Sequence, residues 1–305
     1  MTYNGYWRSY QPLNNSQIVL GLDGGQINKI WYLFPQGGPR GSFTTFAALK
    51  PNLRSRDLIV LGGVLREQAV TPASIYDVTI IGAANSPRQA TSSGTPTGGG
   101  ACWLAPSSGA VAATPLLEIA CSGWNVINVE FTPHTSSAGI RLTRSASVDA
   151  TDASHFNIVD CFFGANGGSG QIGIEDNGGS SFGLIAGCRF QSLTTGIKGI
   201  STASNVPQMW RITNNRFNGN TNAIGMSLND GLVDHNFIRQ TANDTNFKVN
   251  LIAVSAQGAN NQVIRNVFPD AAANVTIAKG YKPGTGDVWR NWVTDTAADI
   301  VAVPV

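Results

Sequence analysis

Apolar and polar positions alternate in short phrases that recur along most of the chain. A typical phrase runs aliphatic or small residue, variable residue, Asn or Cys, variable residue, Phe. Copies are Ile127-Asn128-Val129-Glu130-Phe131, Val159-Asp160-Cys161-Phe162-Phe163, Ala186-Gly187-Cys188-Arg189-Phe190 and Thr213-Asn214-Asn215-Arg216-Phe217. Later copies are Val233-Asp234-His235-Asn236-Phe237, Ile264-Arg265-Asn266-Val267-Phe268 and Trp289-Arg290-Asn291-Trp292-Val293. A second apolar strand with a small residue follows most of them, as in Gly139-Ile140-Arg141-Leu142 and Ile172-Gly173-Ile174. Period two within each phrase predicts strands. Aligned last positions lie 20 to 32 residues apart. That interval is too long for hexapeptide coils, and it lacks a leucine grid. It predicts an all-β solenoid of short strands, one coil of a parallel β-helix per repeat.

In such a solenoid, aligned positions stack at ~4.8 Å from rung to rung. Phe131, Phe163, Phe190, Phe217, Phe237 and Phe268 then form one inward aromatic column. The column two positions earlier reads Val129, Cys161, Cys188, Asn215, His235, Asn266 and Asn291. Stacked asparagines there satisfy their amides on one another and on turn backbone. By position, His235 is expected to be a core histidine, and Cys161 and Cys188 small buried hydrophobes.

Residues 58–63 and 78–82 read as the first strands. Ser42 is the expected N-cap of a short helix over residues 43–50, ended by Pro51, that covers the open end of the solenoid. The solenoid domain therefore spans 42–305. Residues 1–41 do not repeat and gather Tyr3, Tyr6, Trp7, Tyr10, Trp31, Tyr32 and Phe34. So dense an aromatic group marks an attachment or self-association segment, with Tyr3, Tyr6, Trp7 and Tyr10 as docking candidates. The last residues, 300–305, form a bare apolar strand that needs a cover.

Composition narrows the function. Only 12% of residues are charged, and the formal net charge is +2. A coiled coil, a disordered chain and a basic nucleic-acid binder are each disfavoured. No apolar stretch reads as a leader or a membrane span, so neither nucleic acid nor membrane is an expected partner. Cys102, Cys121, Cys161 and Cys188 have no metal-ligand spacing, and no metal or cofactor is expected.

The run Asp57-Leu58-Ile59-Val60-Leu61-Gly62-Gly63-Val64-Leu65-Arg66-Glu67, followed by Asp77-Val78-Thr79-Ile80-Ile81-Gly82-Ala83, resembles the opening of pectin-lyase-like right-handed parallel β-helix proteins. Residues 83–88, the Gly/Thr-rich loop to Trp103, and the stretch from Pro115 to Phe131 are similar to β-helix proteins of tailed-phage virions. The resemblance implies a particle-surface protein: a capsid decoration, head fibre or tail-associated spike component. It implies self-association as a homotrimer, and capsid or tail proteins and host surface polysaccharide as partners.

Enzymes of that superfamily place carboxylates on the outer face of one sheet. Here the outward columns flanking the phenylalanines carry Glu130, Asp160 and Asp234 as acid candidates. Phe162, Arg189, Arg216, Trp289 and Trp292 are glycan-binding candidates. The same columns read equally as a solvated polar face with ion pairs between rungs. The polygalacturonase-type G-H-G and paired-Asp segments are missing from this sequence. Glu175-Asp176, before Asn177-Gly178-Gly179, reads as a turn. A non-catalytic structural role is therefore expected, with a polysaccharide-degrading tailspike, hydrolase or lyase, as the open alternative.

Overall fold

The computed structural model describes residues 27–83, 100–144, 153–165, 169–199, 206–239, 249–251, 260–268, 288–293 and 299–300. For 249–251, 268, 288–293 and 299–300 the backbone alone is described. Three parallel stacks of short strands wrap one core. The first runs through Ile30–Leu33, Leu58–Leu61, Thr79–Gly82, Asn125–Ile127, Asn157–Val159, Leu184–Ala186, Arg211–Thr213, Leu232–Asp234, Gln262–Phe268 and Val288–Val293. The second runs through Val64–Arg66, Cys102–Leu104, Glu130–Thr132, Phe162–Gly164, Arg189–Gln191, Arg216–Asn218 and Phe237–Arg239 before it merges with the last two strands of the first. The third contains Ala69–Val70, Leu117–Ile119, Ala138–Thr143, Ile172–Asn177, Thr195–Gly199, Asn222–Met226 and Val249–Leu251. Seven coils, from Leu58 to Leu251, each contribute one strand to each stack, the expected single-stranded parallel β-helix.

Two corners of each coil repeat one backbone solution. Between the first and second sheets, Asn128, Asp160, Gly187, Asn214, His235 and Arg265 all have φ between 52° and 66°. At the entry to the first sheet, Gly123, His155, Phe182, Met209, Asp230 and Asn260 are left-handed too, with φ between 52° and 76°. The left-handed residue turns the chain in a single step, and its N–H donates to the next coil, as from Asp160 to Ala186 O at 2.9 Å. Asn and Asp tolerate this conformation best, which explains much of the chain's polar turn composition.

The aromatic column forms as expected over four rungs. Phe131, Phe163, Phe190 and Phe217 are fully buried, with ring centroids 5.3, 5.0 and 4.7 Å apart and nearly parallel planes. Trp103, which lies outside the recurring phrase, continues the stack at 6.0 Å from Phe131. Phe46, from the capping helix, closes it at 5.8 Å from Trp103. That helix is shorter than expected, Phe46–Leu49, and its N-cap is Thr45, not Ser42. The Glu67 carboxylate accepts from the Phe46 and Ala47 N–H groups at 2.7 and 2.9 Å, so the cap is built partly from the second coil. Pro51 sits inside a following 3-10 turn, Lys50–Asn52. Ile30–Leu33 pairs in register with Leu58–Leu61, so part of the aromatic N-terminal segment is the first rung of the solenoid.

One coil is shifted by one residue from the expected alignment. Phe217 pairs with Ile238, and Arg216 with Phe237. Phe237 therefore faces outward and is half-buried, and Ile238 fills the column. His235 leaves the core for the left-handed corner, where it is exposed. Asn236 takes the inward place. The slip is decided by the asparagine ladder. Asn236 Oδ1 accepts from Asn215 N and Nδ2 at 2.9 and 3.0 Å, and Asn266 Oδ1 accepts from Asn236 N and Nδ2 at 2.9 and 2.8 Å. Each Nδ2 also donates to a carbonyl of the preceding coil, Ile185 O from Asn215 and Ile212 O from Asn236. No histidine can supply one acceptor and two such donors in that geometry. Cys188 and Cys161 hold the same column below, with thiols donating to backbone carbonyls. Phe268 follows Val267, the partner of Phe237, and its side chain lies outside the described residues.

Two stability measurements follow from this register. Phe190→Ala opens the middle of the stack and is expected to cost about 3–5 kcal/mol, whereas the outward Arg189→Ala costs well under 1. Asn236→Ala strands the buried Asn215 N–H, and about 1–3 kcal/mol is expected for that donor alone. Denaturant unfolding of the three variants checks both. Equal losses at 189 and 190 would contradict the register.

Candidate functional site

The corner between the first and second sheets gathers most of the expected site residues. Outward residues on both sides of it are buried: Val159, Ala186, Thr213 and Asp234 on one side, Glu130 and Phe162 on the other. Val159, Ala186 and Phe162 are buried yet stand apart from the main apolar core. The second-sheet side of the corner reads, rung by rung, Cys102, Glu130, Phe162, Arg189, Arg216, Phe237 and Val267.

The three acid candidates do not converge. Glu130 is 1% exposed and accepts a hydrogen bond from the Cys102 thiol at 3.6 Å. Burial, followed by the charge of Glu130, pushes that thiol up to about 12, so it stays protonated. Asp160 stands exposed on the left-handed corner, where partial burial of its carboxyl raises its pKa. Asp234 belongs to the first sheet, not to the corner column, and pairs with Thr213. Its carboxylate takes His235 Nδ1 at 2.9 Å and lies 3.9 Å from Arg211 Nη2. Asp160 and Asp234 are three rungs apart, on the order of 14 Å, beyond the spacing of a glycosidase pair.

Of the glycan candidates, Arg189 and Arg216 are exposed, and the Arg216 guanidinium lies 5.5 Å from the Phe237 ring centre. Phe162 is buried at 4% and offers no stacking face; its ring covers Gly164, where a Cβ would stand 2.6 Å from it. Trp289 and Trp292 pair with Val263 and Val267, and their side chains lie outside the described residues. Tyr3, Tyr6, Trp7 and Tyr10 also lie outside them.

The third sheet carries a second charged face that local sequence did not reveal. Glu118, Arg141, Glu175 and Lys198 are in register on four successive rungs. Glu175 receives Arg141 Nε at 2.8 Å and Lys198 Nζ at 3.0 Å, while Glu118 accepts from the Thr143 hydroxyl at 3.0 Å. Glu175 and Asp176 are therefore strand residues, not a turn, because the strand extends over Ile172–Asn177. Asp176 points inward and pins the turn after it. It accepts from Gly179 N at 2.8 Å, Ser180 N at 3.1 Å and the Ser180 hydroxyl. Trp210 Nε1 holds the same turn at Ser180 O, 2.8 Å away. Among the described residues no cluster of His, Cys, Asp and Glu could hold a metal ion.

No family model and no curated protein matches the chain. Solved structures do. The chain is similar to an alginate lyase from Paenibacillus sp., with TM-score 0.51 and 16% identity over 88% of this chain and 96% of that one. It is also similar to a pectate lyase, with TM-score 0.43 and 15% identity over 90% and 82%. The Dettilon tailspike protein follows with TM-score 0.36 and 13% identity over 88% and 67%. At these identities the likeness shows the fold, a parallel β-helix, and nothing finer.

Asp176 yields a pH prediction. Burial pushes its carboxyl up to about 6, against the hydrogen bonds that pull it down. A carboxyl with a raised folded pKa binds its proton more tightly in the folded state. Stability is therefore lost as pH rises from about 4 through about 6, by up to about 3 kcal/mol. Denaturant midpoints across that window should fall with pH in the wild type and less steeply in Asp176→Asn. Parallel slopes would contradict the assignment.

Proposed function

We propose that the chain is a structural, glycan-adhering solenoid of a tailed-phage virion, non-catalytic, homotrimeric and attached through its N-terminal segment. The observation that carries the non-catalytic reading is the engagement of Glu118, Glu130, Glu175 and Asp234 by neighbouring side chains. Glu175 is held between two cations, Asp234 between His235 and Arg211, Glu118 by Thr143, and Glu130 beneath Cys102. These carboxylates are thus taken up by their neighbours and are not presented together to a substrate. These residues act as struts between rungs. The virion assignment rests on the resemblance of residues 83–88, the Gly/Thr-rich loop to Trp103 and the stretch from Pro115 to Phe131 to tailed-phage β-helix proteins. Attachment through Tyr3, Tyr6, Trp7 and Tyr10 follows from a dense aromatic group outside the repeat.

A second reading, cleavage of an acidic polysaccharide, is favoured by the Arg141–Glu175–Lys198 cluster. Lys198 keeps 41% of its side chain exposed on the outer face of the third sheet. Incubation with polymannuronate and polygalacturonate separates the two readings: no new chain ends are expected. Cleavage that disappears in Lys198→Ala would establish the second.

Docking is tested by removing residues 1–26, which leaves the rung at Ile30–Leu33 in place. The truncated chain should keep its β-rich circular dichroism and no longer join the particle, while the intact chain sediments as a trimer. A monomeric intact chain, with a truncation that docks normally, would contradict the assembly proposal.

A further inference from the structure

The two outer charge columns of the solenoid are built on opposite rules. On the third sheet the sign alternates from rung to rung, Glu118, Arg141, Glu175, Lys198, so each charge faces its opposite. On the second sheet two like charges lie side by side. Arg189 and Arg216 are direct partners in adjacent strands, both exposed. Among the described residues no carboxylate pairs with either of them. Directly opposed like charges destabilise a sheet. Further arginines stand around them: Arg211 on the first sheet, Arg265 on the left-handed corner, and Arg239 two residues along the second-sheet strand from Phe237. Two acids lie near: Asp234, 5% exposed and already engaged by His235 and Arg211, and Asp160, exposed on the corner one rung before Arg189. The arginines follow one another along the solenoid axis, so they form a positive strip running from rung to rung.

We infer that this corner binds an acidic polysaccharide lying along the solenoid, with Arg189 and Arg216 each taking an anionic group from successive sugars. The inference deepens the glycan-adhesion reading and rests on it. A guanidinium recognises a carboxylate through two parallel hydrogen bonds. Two of them one rung apart repeat at ~4.8 Å, a spacing comparable to the length of one pyranose unit. A polyanion threaded there removes the Arg189–Arg216 repulsion, so binding and folding favour the same geometry. Single-stranded nucleic acid needs exposed aromatic faces for its bases. Here Phe162 is buried and Phe237 lies under Arg216, which favours the polysaccharide.

The test is calorimetric titration of the full chain with polygalacturonate, dextran and oligothymidylate at low salt, repeated at high salt. Polygalacturonate should bind, weaken with salt through screening, and lose at least tenfold in affinity in the Arg189→Gln/Arg216→Gln double variant. Arg40→Gln, an exposed cation elsewhere, should leave the affinity unchanged. The thermal midpoint of the double variant should equal or exceed that of the wild type, because the repulsion is gone. A lowered midpoint would instead mark the pair as structural and overturn the assignment. Dextran binding equal to polygalacturonate, and surviving the double substitution, overturns the acidic specificity and leaves glycan adhesion standing. Tighter binding of oligothymidylate overturns the choice of partner. Failure of both polysaccharides to bind removes this inference together with the adhesion reading.

Discussion

Each inward side chain of the solenoid packs on the equivalent side chain one coil above and one coil below, so a residue choice in one coil constrains its neighbours. Phenylalanine on phenylalanine keeps the rings parallel at 4.7 to 5.3 Å. Asparagine on asparagine is more demanding. Its carbonyl must meet the N–H and the amide of the coil below, while its own amide reaches back to a carbonyl. That network sits inside the corner where a left-handed residue turns the chain. It satisfies backbone donors that a single-residue corner would otherwise bury without partners. Cys161 and Cys188 occupy the same column in the middle coils. They replace the ladder with a small apolar fill and weak thiol hydrogen bonds.

With the interior fixed by stacking, the outer faces are free to vary, and they do so in two ways. The third sheet closes on itself electrostatically, rung against rung, and its ion pairs strap coils 20 to 35 residues apart in sequence. The first and second sheets meet at a corner where Arg189 and Arg216 stand side by side, with no carboxylate paired to either among the described residues.

Much of the solenoid was legible because the stacking constraint writes itself into a recurring phrase. The phenylalanine column and the asparagine column both follow from it. The phrase failed where it fits two registers. In Val233-Asp234-His235-Asn236-Phe237 the final phenylalanine imitates the aromatic position, and only the amide geometry of Asn236 excludes that alignment. The places of Trp103 and Ile30–Leu33 in the stacks were not legible because neither lies in a copy of the phrase, though each continues a column or sheet. The Glu118–Arg141–Glu175–Lys198 face had no local signal at all. Its members are scattered across four coils of unequal length and meet only through the register. Of the expected site, the arginines and Asp160 were correctly placed at the surface. Glu130 and Phe162 were outward by alternation but buried by the corner, a feature that alternation alone does not encode.

The central claim is that the asparagine ladder and the left-handed corners lock the coils in register. Residue-resolved amide hydrogen exchange tests it directly. The Cys188, Asn215 and Asn236 amides adjoin a corner between two strands, where an ordinary turn would exchange quickly. Bonded to asparagine carbonyls of the next coil at 2.9 Å, they should exchange only through global unfolding, as slowly as the amides of Phe190 and Phe217. Exchange of these three amides on the timescale of surface turns, with the flanking strands protected, would contradict the account.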